Sequence, residues 1–104
     1  MEIIGKIKKV CPLIQGETVA GVWSKRDVVV ATAGDDSHDV AVTFFGDRRV
    51  DKLRDVNEGD MVQVFATVKS RCADDQGDKW FTTVDASTIV VLQRQQQQPQ
   101  PPVD

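Results

Sequence analysis

The sequence contains no tyrosine, a single histidine (His38) and two cysteines, Cys11 and Cys72, in 104 residues. One imidazole and two separated thiols cannot make a zinc site of ordinary ligand spacing, so no metal is expected. The opening Met1-Glu2-Ile3-Ile4-Gly5-Lys6 lacks the basic-then-apolar pattern of an export signal, so the expected setting is cytoplasmic and both cysteines are expected as free thiols. No apolar run approaches the roughly 20 residues of a membrane-crossing helix, and no membrane association is expected. Phosphate-cradling glycine loops, motif-placed Ser/His or Cys/His pairs and paired carboxylates within an apolar strand are also missing. Neither catalysis nor a cofactor is therefore expected. Charge of one sign is in short supply as well: 13 Lys and Arg against 16 Asp and Glu leave a net −3. That balance argues against broad polyanion binding but allows a local basic stripe.

What is present is alternation. At this length the chain makes one domain, and its 40% hydrophobic content is that of an ordinary globular fold. From Met61 to Arg71, Val62, Val64, Ala66 and Val68 share one face while Gln63, Phe65, Thr67, Lys69 and Arg71 share the other, the period-2 signature of a half-buried strand. A turn-forming loop, Cys72 to Asp78, leads to the aromatic and β-branched run Lys79 to Ala86, continuing with a bend to Leu92. Residues 58–92 thus read as one long hairpin whose apolar face the rest of the chain must cover. In this reading Trp80 and Phe81 face opposite sides, with Trp80 in the core.

Three further strands precede the hairpin. Glu2 to Val10 places Ile3, Gly5 and Ile7 on one face, with Gly5 where a barrel corner or close backbone approach is expected. Leu13 to Gly21 reads as a loop. Val22 to Thr32 sets Val28 and Val30 against Trp23, Lys25, Asp27 and Val29. Asp39 to Gly46 points Val40, Val42 and Phe44 inward, and Ala41, Thr43 and Phe45 outward. Between Asp47 and Val56 the period becomes helical, through Val50, Leu53 and Val56, with Asp47 as the expected N-cap. Three strands, a short helix and a hairpin predict an all-β, five-stranded OB-fold Greek-key barrel over residues 1–92, with the helix between the third and fourth strands. Residues 93–104, rich in Gln and Pro, read as a disordered tail.

Val42-Thr43-Phe44-Phe45-Gly46, Val50, Leu53, the run Glu58 to Val64, Lys69-Ser70-Arg71 and Trp80 to Val84 together resemble bacterial single-stranded DNA-binding proteins. The opening Met-Glu-Ile-x-Gly-Lys, the Trp23-x-Lys25-Arg26 element and Phe45-Gly46-Asp47 are similar to a family of small bacterial OB-fold proteins of unknown function. The resemblance covers about residues 1 to 92 and implies an OB-fold that binds nucleic acid. Two places where single-stranded DNA-binding proteins carry stacking tryptophans hold Asp39 and Ala73 here, and the C-terminus lacks their acidic, Phe-ended tip.

Single-strand binding needs outward aromatics for bases and cations for phosphates. Trp23, Lys25, Phe45, Lys69, Arg71 and Phe81 are the candidates for single-stranded DNA or RNA. Phe45 also fits a packing role against the helix, and the Lys6, Lys8 and Lys9 cluster fits a solvated edge. Phe65, outward at mid-strand, is the candidate subunit contact, with Lys6 beside it, implying a homodimer or homotetramer. The acidic loops around Asp35, Asp36 and Asp39, and Asp74, Asp75 and Asp78, would repel phosphate. They support the alternative of a protein–protein interaction module with no nucleic-acid role.

Overall fold

Every second residue of the long strands is apolar, and the barrel forms where those faces meet. The computed structural model describes residues 1–94. Its elements are β1 (Glu2–Val10), β2 (Ile14–Thr18), β3 (Gly21–Thr32), β4 (Asp39–Phe45), α1 (Asp47–Asp51), β5 (Met61–Cys72) and β6 (Trp80–Gln93). The sheet runs β1-β5-β6-β4-β3 and returns to β1 through a β1–β3 pairing, so five strands close a barrel. All ladders are antiparallel except the β4–β6 contact, which is parallel at Thr43 and Asp85. This is the all-β OB-fold arrangement, with the short helix between β4 and β5. Val28, Val30, Val42, Phe44, Val62 and Val64 are fully buried in its core, as the alternation requires.

Closure is made by β1, which pairs on both sides. Gly5 sits opposite Thr32 of β3 and Val62 of β5. A Cβ built on Gly5 would fall onto the Ala31 carbonyl, so the two strand backbones meet at a distance only glycine tolerates. Register shifts accommodate the curvature: the β1–β3 ladder skips Lys8, and the β5–β6 ladder skips Ser87 and Leu92. Below the barrel, Leu53 and Val56 are buried after α1, and Val50 packs against the core. The Glu58-Gly59-Asp60 turn docks on β1 through hydrogen bonds from Ile7 N to Asp60 O (2.9 Å) and from Gly59 N to Ile7 O (2.7 Å).

Several local expectations are corrected. Residues 14–18, expected in a loop, form β2, because they pair with the start of β3 from Ile14–Lys25 to Thr18–Gly21. Asp47 is the first helical residue and Gly46 the N-cap; the Asp47 carboxylate instead accepts a hydrogen bond from Ser24 Oγ. Trp80 is 59% exposed and Val68 47% exposed rather than in the core. Their alternation is as expected, but the β5–β6 arm continues past the barrel, where no apolar layer lies beneath it. Trp80 settles on its own turn, its indole N–H donating to Gly77 O at 2.9 Å. Gln93 ends β6, and Arg94 donates to Asp55 O at 2.7 Å; the rest of the expected tail, 95–104, lies outside the described residues. Cys11 and Cys72 are unbridged. No helix among the described residues is long and apolar enough to cross a membrane.

The acidic tip of the arm is knit by its own carboxylate. Asp74 Oδ1 accepts from Asp78 N at 3.0 Å, and Ala73 N donates to Lys79 O at 2.8 Å. Desolvation opposes the Asp74 charge, but hydrogen bonds from the Lys79 and Asp78 backbone, the Cys72 thiol and the Gly77 backbone outweigh it. Its carboxyl is held below the ordinary 3.8.

Two outcomes follow from this architecture. Gly5→Ala will destabilise the barrel by about 2–3 kcal/mol or more, read as a lowered denaturant midpoint with unchanged slope, since the clash is with backbone. Because the folded pKa of Asp74 is depressed, its contribution is complete above its unfolded pKa and is lost as the pH falls through the folded value. Carboxyl NMR titration will place Asp74 below 3.8, with tip amide protection at Asp78 lost only as Asp74 protonates. A titration midpoint at or above that value would contradict the arrangement.

Candidate nucleic-acid interface

The outward residues of β3, β4, β5 and β6 converge on one side of the barrel. Trp23 is placed by its neighbour across the β2–β3 ladder, Gly16. A Cβ on Gly16 would fall on the indole, so the ring lies directly over the β2 backbone. From there Trp23 stacks on Phe45 of β4, with ring centroids 5.8 Å apart and planes inclined by 21°. Phe45 is itself half exposed. Of its two readings, cover for the helix or an open ring, the geometry matches the second on its solvent side. Lys25 flanks the pair, in register with Ile14 on one side and Phe45 on the other.

The facing wall is the β5–β6 arm. Its ladder aligns Lys69 with Thr83 and Arg71 with Phe81, so that each rung carries a cation beside a hydroxyl or an aromatic ring. Phe81 is 60% exposed. Between the walls lies an open groove of 690 Å³, lined by Trp23, Lys25, Phe45, Lys69, Arg71 and Phe81 among others. The six residues singled out from the sequence are therefore brought together in one concavity. Phe65 and Lys6 are elsewhere. Phe65 sits half-buried on the outer face of β5, between Glu2 of β1 and Thr88 of β6. On the same sheet face, Ile4 and Val90 flank Gln63 and are exposed, as is Leu92 at the register shift farther along β6.

The groove also holds residues that sequence reasoning passed over. Arg49 reaches it from α1, Thr43 and Asp85 lie at its floor, and Thr83 lines the arm beside Lys69. Asp85 Oδ2 accepts from Lys69 Nζ at 3.1 Å and from Arg49 Nη1 at 3.5 Å. Arg49 was hidden because its segment reads only as a plug for the barrel end. The basic pair Arg48-Arg49 just after the Phe45-Gly46 corner was the available signal. Asp85 was hidden because its importance depends on the β4–β6 contact, which joins residues 42 positions apart (85 − 43). The four cations Lys25, Arg49, Lys69 and Arg71 face one carboxylate, a local excess of three positive charges (4 − 1) on a chain of net −3.

The acidic loops stay out of this groove. None of Asp35, Asp36, Asp39, Asp74, Asp75 and Asp78 lines it. Asp39 pairs with Lys8 at 2.6 Å, and Asp74 is engaged in its own turn. Among the described residues no group of three or more His, Cys, Asp or Glu side chains is placed to hold a metal ion.

The fold matches solved structures closely in extent and weakly in sequence. The chain is similar to the mitochondrial single-stranded DNA binding protein Rim1 from S. cerevisiae, with a TM-score of 0.67 and 16% identity over 89% of this chain and 94% of that one. A second crystal form of the same protein gives a TM-score of 0.61 and 20% identity, over 89% and 93% of the two chains. The small single-stranded DNA-binding protein from Streptomyces coelicolor gives 0.51 and 15%, over 88% and 91%. At these identities the likeness establishes the OB-fold and nothing finer. No curated protein matches the chain in sequence. The family model described as Domain of unknown function (DUF3127) matches residues 2–90, and the chain belongs to that family.

Proposed function

We propose that the protein is a non-catalytic OB-fold module that binds single-stranded DNA or RNA in the groove between the Trp23–Phe45 pair and the β5–β6 arm. The carrying observation is the convergence of three aromatic rings and four cations on one concave surface of an otherwise acidic chain. Phe45 and Phe81 offer open ring faces to bases, with Trp23 backing Phe45, while Lys25, Lys69 and Arg71 follow the phosphates. Stacking is indifferent to base identity, so this surface favours length of strand over sequence. The similar structures are of single-stranded DNA-binding proteins, which supports the same reading.

The second surface supports self-association. Phe65 and the exposed Ile4, Val90 and Leu92 lie around Gln63 on the β1-β5-β6 face, a mixed surface suited to a homodimer or homotetramer with Lys6 at its margin. This patch is also the observation that favours the alternative, a protein-interaction module without nucleic acid.

Indole fluorescence separates the readings. In a Trp80→Phe background, oligo-dT added at low salt will quench Trp23. Phe45→Ala or Phe81→Ala will weaken binding about 5- to 150-fold, the equivalent of about 1–3 kcal/mol per stacked base. No quenching and no mobility shift at about tens of micromolar, where nonspecific binding is normally visible, would defeat the nucleic-acid reading. Sedimentation will find an oligomer that Phe65→Ala shifts toward monomer, with oligo-dT affinity per site little changed. Assembly through Phe65 without any DNA response would instead favour the protein-contact reading, and a wild-type monomer at high concentration would refute the assembly.

A further inference from the structure

Resting on the nucleic-acid reading of the groove, one of its residues has the wrong charge. Asp85 is acidic, lies on the floor of the groove and is 18% exposed, whereas Lys69, which binds it, is 64% exposed. The carboxylate therefore sits beneath and the ammonium on top. Its Oδ2 takes hydrogen bonds from both Lys69 and Arg49, the arrangement a phosphate oxygen would take from the same two cations. Lys25 and Arg71, by contrast, enter no ion pair among the described residues.

We infer that Asp85 is an internal competitor of phosphate: it occupies Lys69 and Arg49 in the free protein, and a bound strand must exchange with it for those cations. Both pairs are partly solvent-exposed, and pairs of that kind are weak enough to be broken by an incoming phosphate. The carboxylate that remains lies within a Debye length of the strand and repels it. Two of the four groove cations are thus held in reserve. This makes the site one that releases strands more readily, with Asp85 lowering the affinity that the aromatic rings and cations would otherwise give.

The test compares wild-type and Asp85→Asn full-length protein for binding to oligo-dT of about 16 nucleotides across a salt series. Removing the charge while keeping the side-chain shape will tighten binding at low salt on the order of 3- to 10-fold. It will also steepen the slope of log affinity against log salt by about 0.7, the increment for the one negative charge that no longer opposes the strand. The two proteins will converge as salt screens the difference. Equal affinity and slope, or weaker binding by the variant, would overturn the role of Asp85 while leaving the groove as the binding site. Absence of binding by both would instead remove the nucleic-acid reading on which the role depends. A readout on the wild-type chain guards against a variant that does not fold. The Asp85 carboxyl carbon resonance will shift on saturation with oligo-dT if the ion pairs are exchanged, and a resonance unmoved while the strand binds would refute the exchange.

Discussion

The double pairing of β1 at Gly5 is the constraint on which the molecule depends. One short strand must accept hydrogen bonds from β3 on one edge and β5 on the other, and at the corner between them the Ala31 carbonyl lies where any side chain would sit. With the corner open, the apolar faces of β3 and β5 would turn to water. With it closed, Val28, Val30, Val62 and Val64 meet around Phe44, all shielded from solvent. Within the barrel, closure also removes the sheet edges, leaving those of β2 and of the projecting arm.

The groove is a consequence of strands that outrun the barrel. β5 and β6 continue past the last core positions, Ala66 and Ala86, to Cys72 and Trp80. Their twist carries Lys69, Arg71 and Phe81 over the outward face of β3 and β4. On the other side the β2–β3 hairpin extends in the same way, and Gly16 makes the shelf on which Trp23 lies. The parallel contact of Thr43 with Asp85 joins the two halves at the floor. Barrel and groove therefore have different sources of stability: the first is buried valine, the second the ladder hydrogen bonds and ring packing of two projecting hairpins.

Asymmetry of charge follows from the same layout. Two clusters of carboxylates lie in and beside the β3–β4 turn and at the arm tip, where Asp39 pairs with Lys8 and Asp74 with the turn backbone, while the groove draws its cations from strand faces and α1. A chain of net negative charge can in this way present a positive concavity, because side-chain direction rather than composition decides which charges share a surface. Asp85 is the exception, and its pairing with Lys69 and Arg49 makes the groove less cationic than a count of its basic residues suggests.

The positions of the five barrel strands, the inward faces of four of them, the corner glycine and the plug at Leu53 and Val56 were determined by sequence alone, because period and turn chemistry are local properties that a few consecutive residues express. The six candidate groove residues were legible for the same reason: each lies on the outward side of its own strand. Tertiary structure alone decided what lies under each face. It left Trp80 and Val68 in solvent because the arm passes beyond the core, and turned residues 14–18 into a strand because β3 extends far enough to pair with them. It also brought Arg49 and Asp85 into the groove. Those outcomes depend on distances between segments far apart in the chain. Alternation along one strand carries no information about where another strand ends, and so the hairpin's faces could be read from sequence but not the place where its core stops and its groove begins.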